Sequence, residues 1–184
     1  TYAAGLFNGE GLNLANDDQD FLRAARVVWT PLGSYAMEES SVDFPEQPRL
    51  ALGAGVVHTT VGTTTPEDAL RLGGEMAFKL GGFNTTAEYV QERLTSPGLQ
   101  RDTHAWYAQA GFGLRSGYEL ALRYSDIAPD AADSSNPDQR EKGFVLNRYF
   151  DAHLMKFTTD FLWIESDVLN TSFLQARAQI QLVL

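Results

Sequence analysis

The stretch TSFLQARAQIQLVL, Thr171 to Leu184, decides how this chain folds. From Leu174 onward, Leu174, Ala176, Ala178, Ile180, Leu182 and Leu184 fall on one side of an extended chain. Gln175, Arg177, Gln179, Gln181 and Val183 fall on the other. Alternation of period two is the mark of a β-strand with unlike faces. In a water-soluble sheet the Leu/Ile side is buried and the Gln/Arg side is wet. In a transmembrane barrel the Leu/Ile side meets lipid and the Gln/Arg side lines a polar lumen. The stretch alone leaves both readings open.

Composition narrows the choice. The chain has 184 residues, net charge −10 and no cysteine. It suits one domain, residues 1–184. Hydrophobic content of 43% and a mean hydropathy of −0.24 are ordinary for a soluble protein. They also suit a membrane barrel, in which only every second strand residue faces lipid. No run approaches the ~20 apolar residues of a spanning helix. The acidic balance argues against nucleic acid as a partner. Without cysteine there is no disulfide and no thiolate metal site. The chain opens on TYAAGLFNGE, with no signal-peptide pattern and in mid-alternation, so further residues are expected upstream.

The same alternation recurs along the whole length. Segment 118–125 sets Tyr118, Leu120, Leu122 and Tyr124 against Glu119, Ala121, Arg123 and Ser125. Segment 106–115 sets Trp106, Ala108, Ala110, Phe112 and Leu114 against Tyr107, Gln109, Gly111, Gly113 and Arg115. Segments 70–79 and 155–163 behave alike, and 2–7, 22–30, 49–58, 85–93 and 142–150 do so more weakly. With 173–184 this predicts about ten strands of about 9–11 residues, the length of a tilted transmembrane strand.

Connection lengths then favour a membrane barrel. Counting back from the C-terminus, 165–172 reads as long, 151–154 as tight, 126–141 as long, 116–117 as tight, 95–104 as long, 81–84 as tight and 59–68 as long. Segment 31–48 breaks the rule by being long where a tight turn is due, and 8–20 is long again. Outer-membrane barrels have short periplasmic turns and long outer loops. The parity places the C-terminus in the periplasm and the long acidic loops outside. Trp29, Trp106, Trp163, Tyr2, Tyr118 and Tyr124 fall near strand ends in the apolar register, as interfacial aromatic girdles do.

The segments YAAGLFNGEG (2–11), RVVWTPLG (26–33), QPRLALGAGV (47–56), AEYVQE (87–92), YAQAGFGLRSGYELALRYSDIAP (107–129) and GFVLNRYFDAHLMKFTTDF (143–161) resemble, in order, the phosphate-selective porin O and P family of Gram-negative outer membranes. The resemblance implies a trimeric, sixteen-stranded barrel of which this chain is the C-terminal portion. It also implies that the terminal apolar residue, here Leu184, serves barrel assembly. The family more commonly ends on an aromatic. A closed ten-stranded barrel is the other geometry, since ten is an even number.

The expected fold is therefore all-β: a transmembrane antiparallel β-barrel domain, incomplete at its N-terminus. The expected function is an outer-membrane porin passing small hydrophilic solutes, with an anion or phosphate lean as one outcome. The expected partners are outer-membrane lipid, two further copies in a homotrimer, and small anions or other hydrophilic solutes. The alternative is a barrel serving as scaffold in a larger envelope assembly. A soluble β-protein is a third reading. The register predicts that Arg26, Arg71, Glu75, Lys79, Glu88, Gln109, Arg115, Glu119, Arg123, Lys156, Asp160, Gln175, Arg177 and Gln179 line the pore. Cationic side chains in a narrow wet pore concentrate anions. Glu92, too, points inward, so bases lead acids only slightly and cross-strand ion pairs are expected.

Little else suggests chemistry, and no enzymatic activity, cofactor or metal is expected. His58, His104 and His153 have no metal-ligand spacing. His58 and His104, with Asp68 and Asp102 nearby, form a faint outline of an outer-rim protease. The acidic runs 13–21 and 130–142 lack the spacing of an EF-hand loop. Gly53, Gly55 and the Gly-Gly pairs at 73–74 and 81–82 lack a phosphate-loop context and read as relief of crowding in a curved sheet.

Overall fold

The computed structural model describes residues 1–8, 20–35, 40–61, 66–129, 138–151, 154–166 and 171–182. Ten strands follow one another: β1 Tyr2–Asn8, β2 Phe21–Trp29, β3 Arg49–Val61, β4 Glu67–Leu80, β5 Phe83–Ser96, β6 Leu99–Gly113, β7 Tyr118–Pro129, β8 Gln139–Asp151, β9 Met155–Ser166 and β10 Thr171–Leu182. Each predicted strand is present, and most run several residues further than the alternation shows. All pair antiparallel with their sequence neighbours in one sheet of order β1 to β10, with no helix among the described residues. β1 and β10 are the two edges of this sheet and do not pair with each other.

The register is staggered from strand to strand. One row of cross-strand partners runs Trp29, Leu52, Met76, Ala87, Ala108, Tyr124, Lys142, Trp163. It starts at Trp29, the last residue of β2, beside the β2–β3 connection. It finishes at Trp163, near the opposite end of β9. Rows that climb from one rim to the other mean strands steeply tilted to the rims, the stagger a curled sheet requires.

Burial separates the two faces of the sheet. The only buried apolar residues among those described are Ala51, Ala69, Ala77, Ala121, Tyr149, Leu162 and Ile164. Buried polar residues are as prominent: Ser40, Ser41, Thr59, Lys79, Asn84, Glu119, Asn147, Lys156 and Ser166. Apart from Leu162 and Ile164, the described large aliphatic side chains are not buried, and many stand well exposed, with Leu122 62%, Leu174 62%, Ile180 67% and Leu182 63%. A single-layer soluble sheet buries its Leu/Ile face; here that face is the exposed one.

The loop parity needs two corrections. The connection read as long at 165–172 leaves only four residues, 167–170, between β9 and β10, no more than the turn at 114–117. Segment 95–104, read as a long connection, is almost all strand: β5 and β6 meet through a two-residue turn, Pro97–Gly98, with Gly98 at φ 81°. A positive φ at this corner suits glycine. Because that turn lies on the predicted outer side, long and short connections do not segregate cleanly. The tight turns at 81–82 and 114–117 are as expected, and the long β2–β3 connection is present as read.

Candidate functional site

The inner, polar face of the sheet bounds a concavity of about 670 Å³ to which every strand from β2 to β10 contributes. Of the predicted lining residues, Arg26, Glu75, Glu88, Gln109, Arg123, Lys156, Asp160, Arg177 and Gln179 border it directly. Arg71, Lys79, Glu119 and Gln175 share the same register. They lie outside the central concavity. Arg115 falls in the turn after β6 and stacks over the Phe44 ring at 5.1 Å.

Charges on this face are matched in place. Arg26 of β2 pairs with Glu75 of β4 across β3. It does so because Gly53 and Gly55 put no side chain between them: a Cβ on Gly53 collides with Glu75, and one on Gly55 touches the Arg26 stem. The glycines of the 53–55 run are thus a gap for an ion pair rather than a phosphate cradle. Arg71 pairs with Glu92, and Arg177 holds Asp160 at 2.9 Å. Tyr107 donates to Glu88 at 2.9 Å, and the Arg123 guanidinium lies 5.1 Å from the Tyr107 ring.

Towards the short-turn end the face closes into a buried network. Glu119 is 3% exposed. Its carboxylate accepts hydrogen bonds from Asn84 at 2.7 Å, Asn147 at 2.8 Å and the Tyr149 hydroxyl at 2.8 Å. Thr158 extends the network by donating to Asn147 at 2.7 Å. Gly111 makes the space: a Cβ there lies 2.7 Å from Glu119 and 3.0 Å from Asn84. Three donors on one buried carboxylate satisfy a group that is otherwise costly to bury. Sequence reading found Glu119 and missed Asn84, Asn147 and Tyr149. Their positions in the inward register were the available signal.

The outer face is apolar in its middle. The Trp106 and Tyr124 rings meet tilted, with centroids 5.0 Å apart, near the loop end of this belt, and Trp29 and Tyr118 lie at its turn end. Beyond Trp106 the outer face turns polar. Arg93 Nε donates to Asp102 at 2.8 Å and Gln100 to the same carboxylate at 3.2 Å. The Arg93 hydrogen bond holds the Asp102 carboxyl below the usual carboxylate range, against a smaller opposing effect of desolvation.

His58 and His104 sit in two separate side-chain pairs. His58 Nε2 lies 2.7 Å from Asp68, and His104 Nδ1 lies 2.8 Å from the Tyr89 hydroxyl. Asp68 and Asp102 sit in strands, not loops, and Asp102 is engaged by Arg93. Among the described residues no cluster of three metal-ligating side chains occurs. His153, most of the acidic runs 13–21 and 130–142, and Leu184 lie outside the described residues.

No protein-family model, curated protein or solved structure matches the chain. The functional reading therefore rests on the two faces of the sheet.

Proposed function

We propose that this chain forms the wall of an outer-membrane channel: a curled antiparallel sheet whose convex face meets lipid and whose concave face lines a water-filled path for small hydrophilic solutes. The observation that carries the reading is the inverted burial, with Leu and Ile exposed around the outside and Lys, Glu and Asn enclosed. Strand tilt and two levels of aromatic residues support it. Strands additional to these ten, from upstream in the same polypeptide, fill the gap between β1 and β10, as the porin resemblance implies. Trimerisation is proposed on that resemblance alone.

Selectivity in this reading is mild. Arg26, Arg71 and Arg177 are each neutralised by a carboxylate on the same face, leaving little uncompensated positive field to exclude cations. Single-channel recording of the full-length protein in a planar bilayer tests the proposal. Stable steps, with a reversal potential under a KCl gradient only slightly on the anion side and no block by phosphate, are the expected result. Block by phosphate at low concentration replaces the general channel with a phosphate-selective one. Absence of conductance from folded protein rejects the channel.

A second reading, a scaffold in a larger envelope assembly, draws on the unpaired edges of β1 and β10, to which strands of another chain add as readily. A stable complex that co-purifies with a silent barrel is its signature.

A further inference from the structure

The largest fully buried side chains among the described residues, Ser40 and Ser41, belong not to a strand but to the β2–β3 connection. A connection between adjacent strands normally stays beside them. This one crosses the concave face. The Ser41 hydroxyl donates to the Gly81 carbonyl at 2.7 Å, and the Gly81 amide donates to the Pro45 carbonyl at 2.8 Å. Two hydrogen bonds thus pin the segment to the β4–β5 turn.

Further along, the Phe44 ring rests where Gly82 and Gly113 have no side chain: a Cβ on Gly82 lies 3.1 Å from the ring, and one on Gly113 lies 3.9 Å from it. The Arg115 guanidinium covers the ring from β6–β7. Phe44 adopts φ 44°, a left-handed conformation that a bulky residue keeps only where its surroundings hold it. A residual space of about 210 Å³ separates Ser40 and Val42 from Glu119 and Tyr149. Tyr149 belongs to β8, five strands from β3, so the segment spans about half the sheet at the short-turn end.

We propose that residues 40–45 are the constriction of the channel: an inward-folded strap that narrows the short-turn mouth and sets the size limit for solutes. This rests on the channel reading. Exposed Asp43 in the strap and exposed Arg115 beside it carry opposite charges, so it discriminates by size and leaves ion preference nearly unchanged.

Residues 1–184 have no cysteine, so with any cysteine elsewhere in the polypeptide replaced by serine a single introduced cysteine labels cleanly. Asp43→Cys, labelled with a bulky maleimide in the full-length protein, is expected to lose half or more of the wild-type single-channel conductance. Replacing 40–45 by a short glycine linker is expected to raise conductance at least twofold and to admit larger polyethylene glycols, with little change in reversal potential. Complete labelling by mass with unchanged conductance overturns the proposal, and so does a folded deletion variant with wild-type conductance. If the deletion does not fold, the cysteine variant decides. A silent wild-type protein removes the channel reading itself and the strap with it.

Discussion

At the scale of single residues the inner face is organised by Glu119. Its carboxylate serves Asn84 of β5 and Asn147 and Tyr149 of β8, two strands far apart in sequence. Glu119→Ala leaves those donors without their acceptor in a place water reaches poorly. An unsatisfied buried polar group costs about 1–3 kcal/mol. The variant is expected to lose about 3 kcal/mol in urea unfolding from vesicles, and Glu119→Gln, which keeps a carbonyl acceptor, distinctly less. Loss no greater than for Gln179→Ala contradicts the network's role. Asp102 sits outside the apolar belt and gives a pH prediction. Its pKa is lowered in the folded state by Arg93, so the pair's contribution to the β5–β6 hairpin is present above the unfolded carboxylate pKa. It is lost as pH falls through the lowered folded value. The Asp102 carboxyl resonance is expected to titrate below an ordinary aspartate, and Arg93→Ala to bring it back.

At the scale of elements, alternation within a strand fixes which side chain meets which solvent. Ala178 and Gln179 are neighbours in β10 and point to opposite faces. Ala178→Arg places a charge on the apolar belt and is expected to cost about 2–4 kcal/mol, as at a bilayer midplane. Gln179→Arg, on the polar face, is expected to change stability by less than about 0.5 kcal/mol. Unfolding in phospholipid vesicles compares the two, and equal costs reject the assignment of faces. All ten strands were legible because their faces differ. The hairpin at Pro97–Gly98 was not, for a physical reason. Past Tyr89 and Trp106 the outward residues Gln91, Arg93, Gln100 and Asp102 are polar, so both faces are polar and period two carries no signal. The inward register of the charged residues was readable too. Their partners were not, since Arg26 reaches Glu75 across an intervening strand and Glu119 reaches Asn84 across 35 residues. Nothing in the composition of 31–48 announces that residues 40–45 turn inward.

At the scale of the whole molecule, the account depends on one inversion: greasy outside, polar inside. A soluble sheet with these exposed residues would aggregate or hide them in another layer. A bilayer hides them without further protein. Single cysteines placed at Ala178 and Gln179, in the protein reconstituted in phospholipid vesicles and labelled with an environment-sensitive fluorophore, test this most directly. The account predicts that the label at 178 is quenched by lipid-borne nitroxides and not by aqueous iodide, and that the label at 179 shows the opposite. Aqueous quenching at both positions, or lipid quenching at 179 in place of 178, would contradict it.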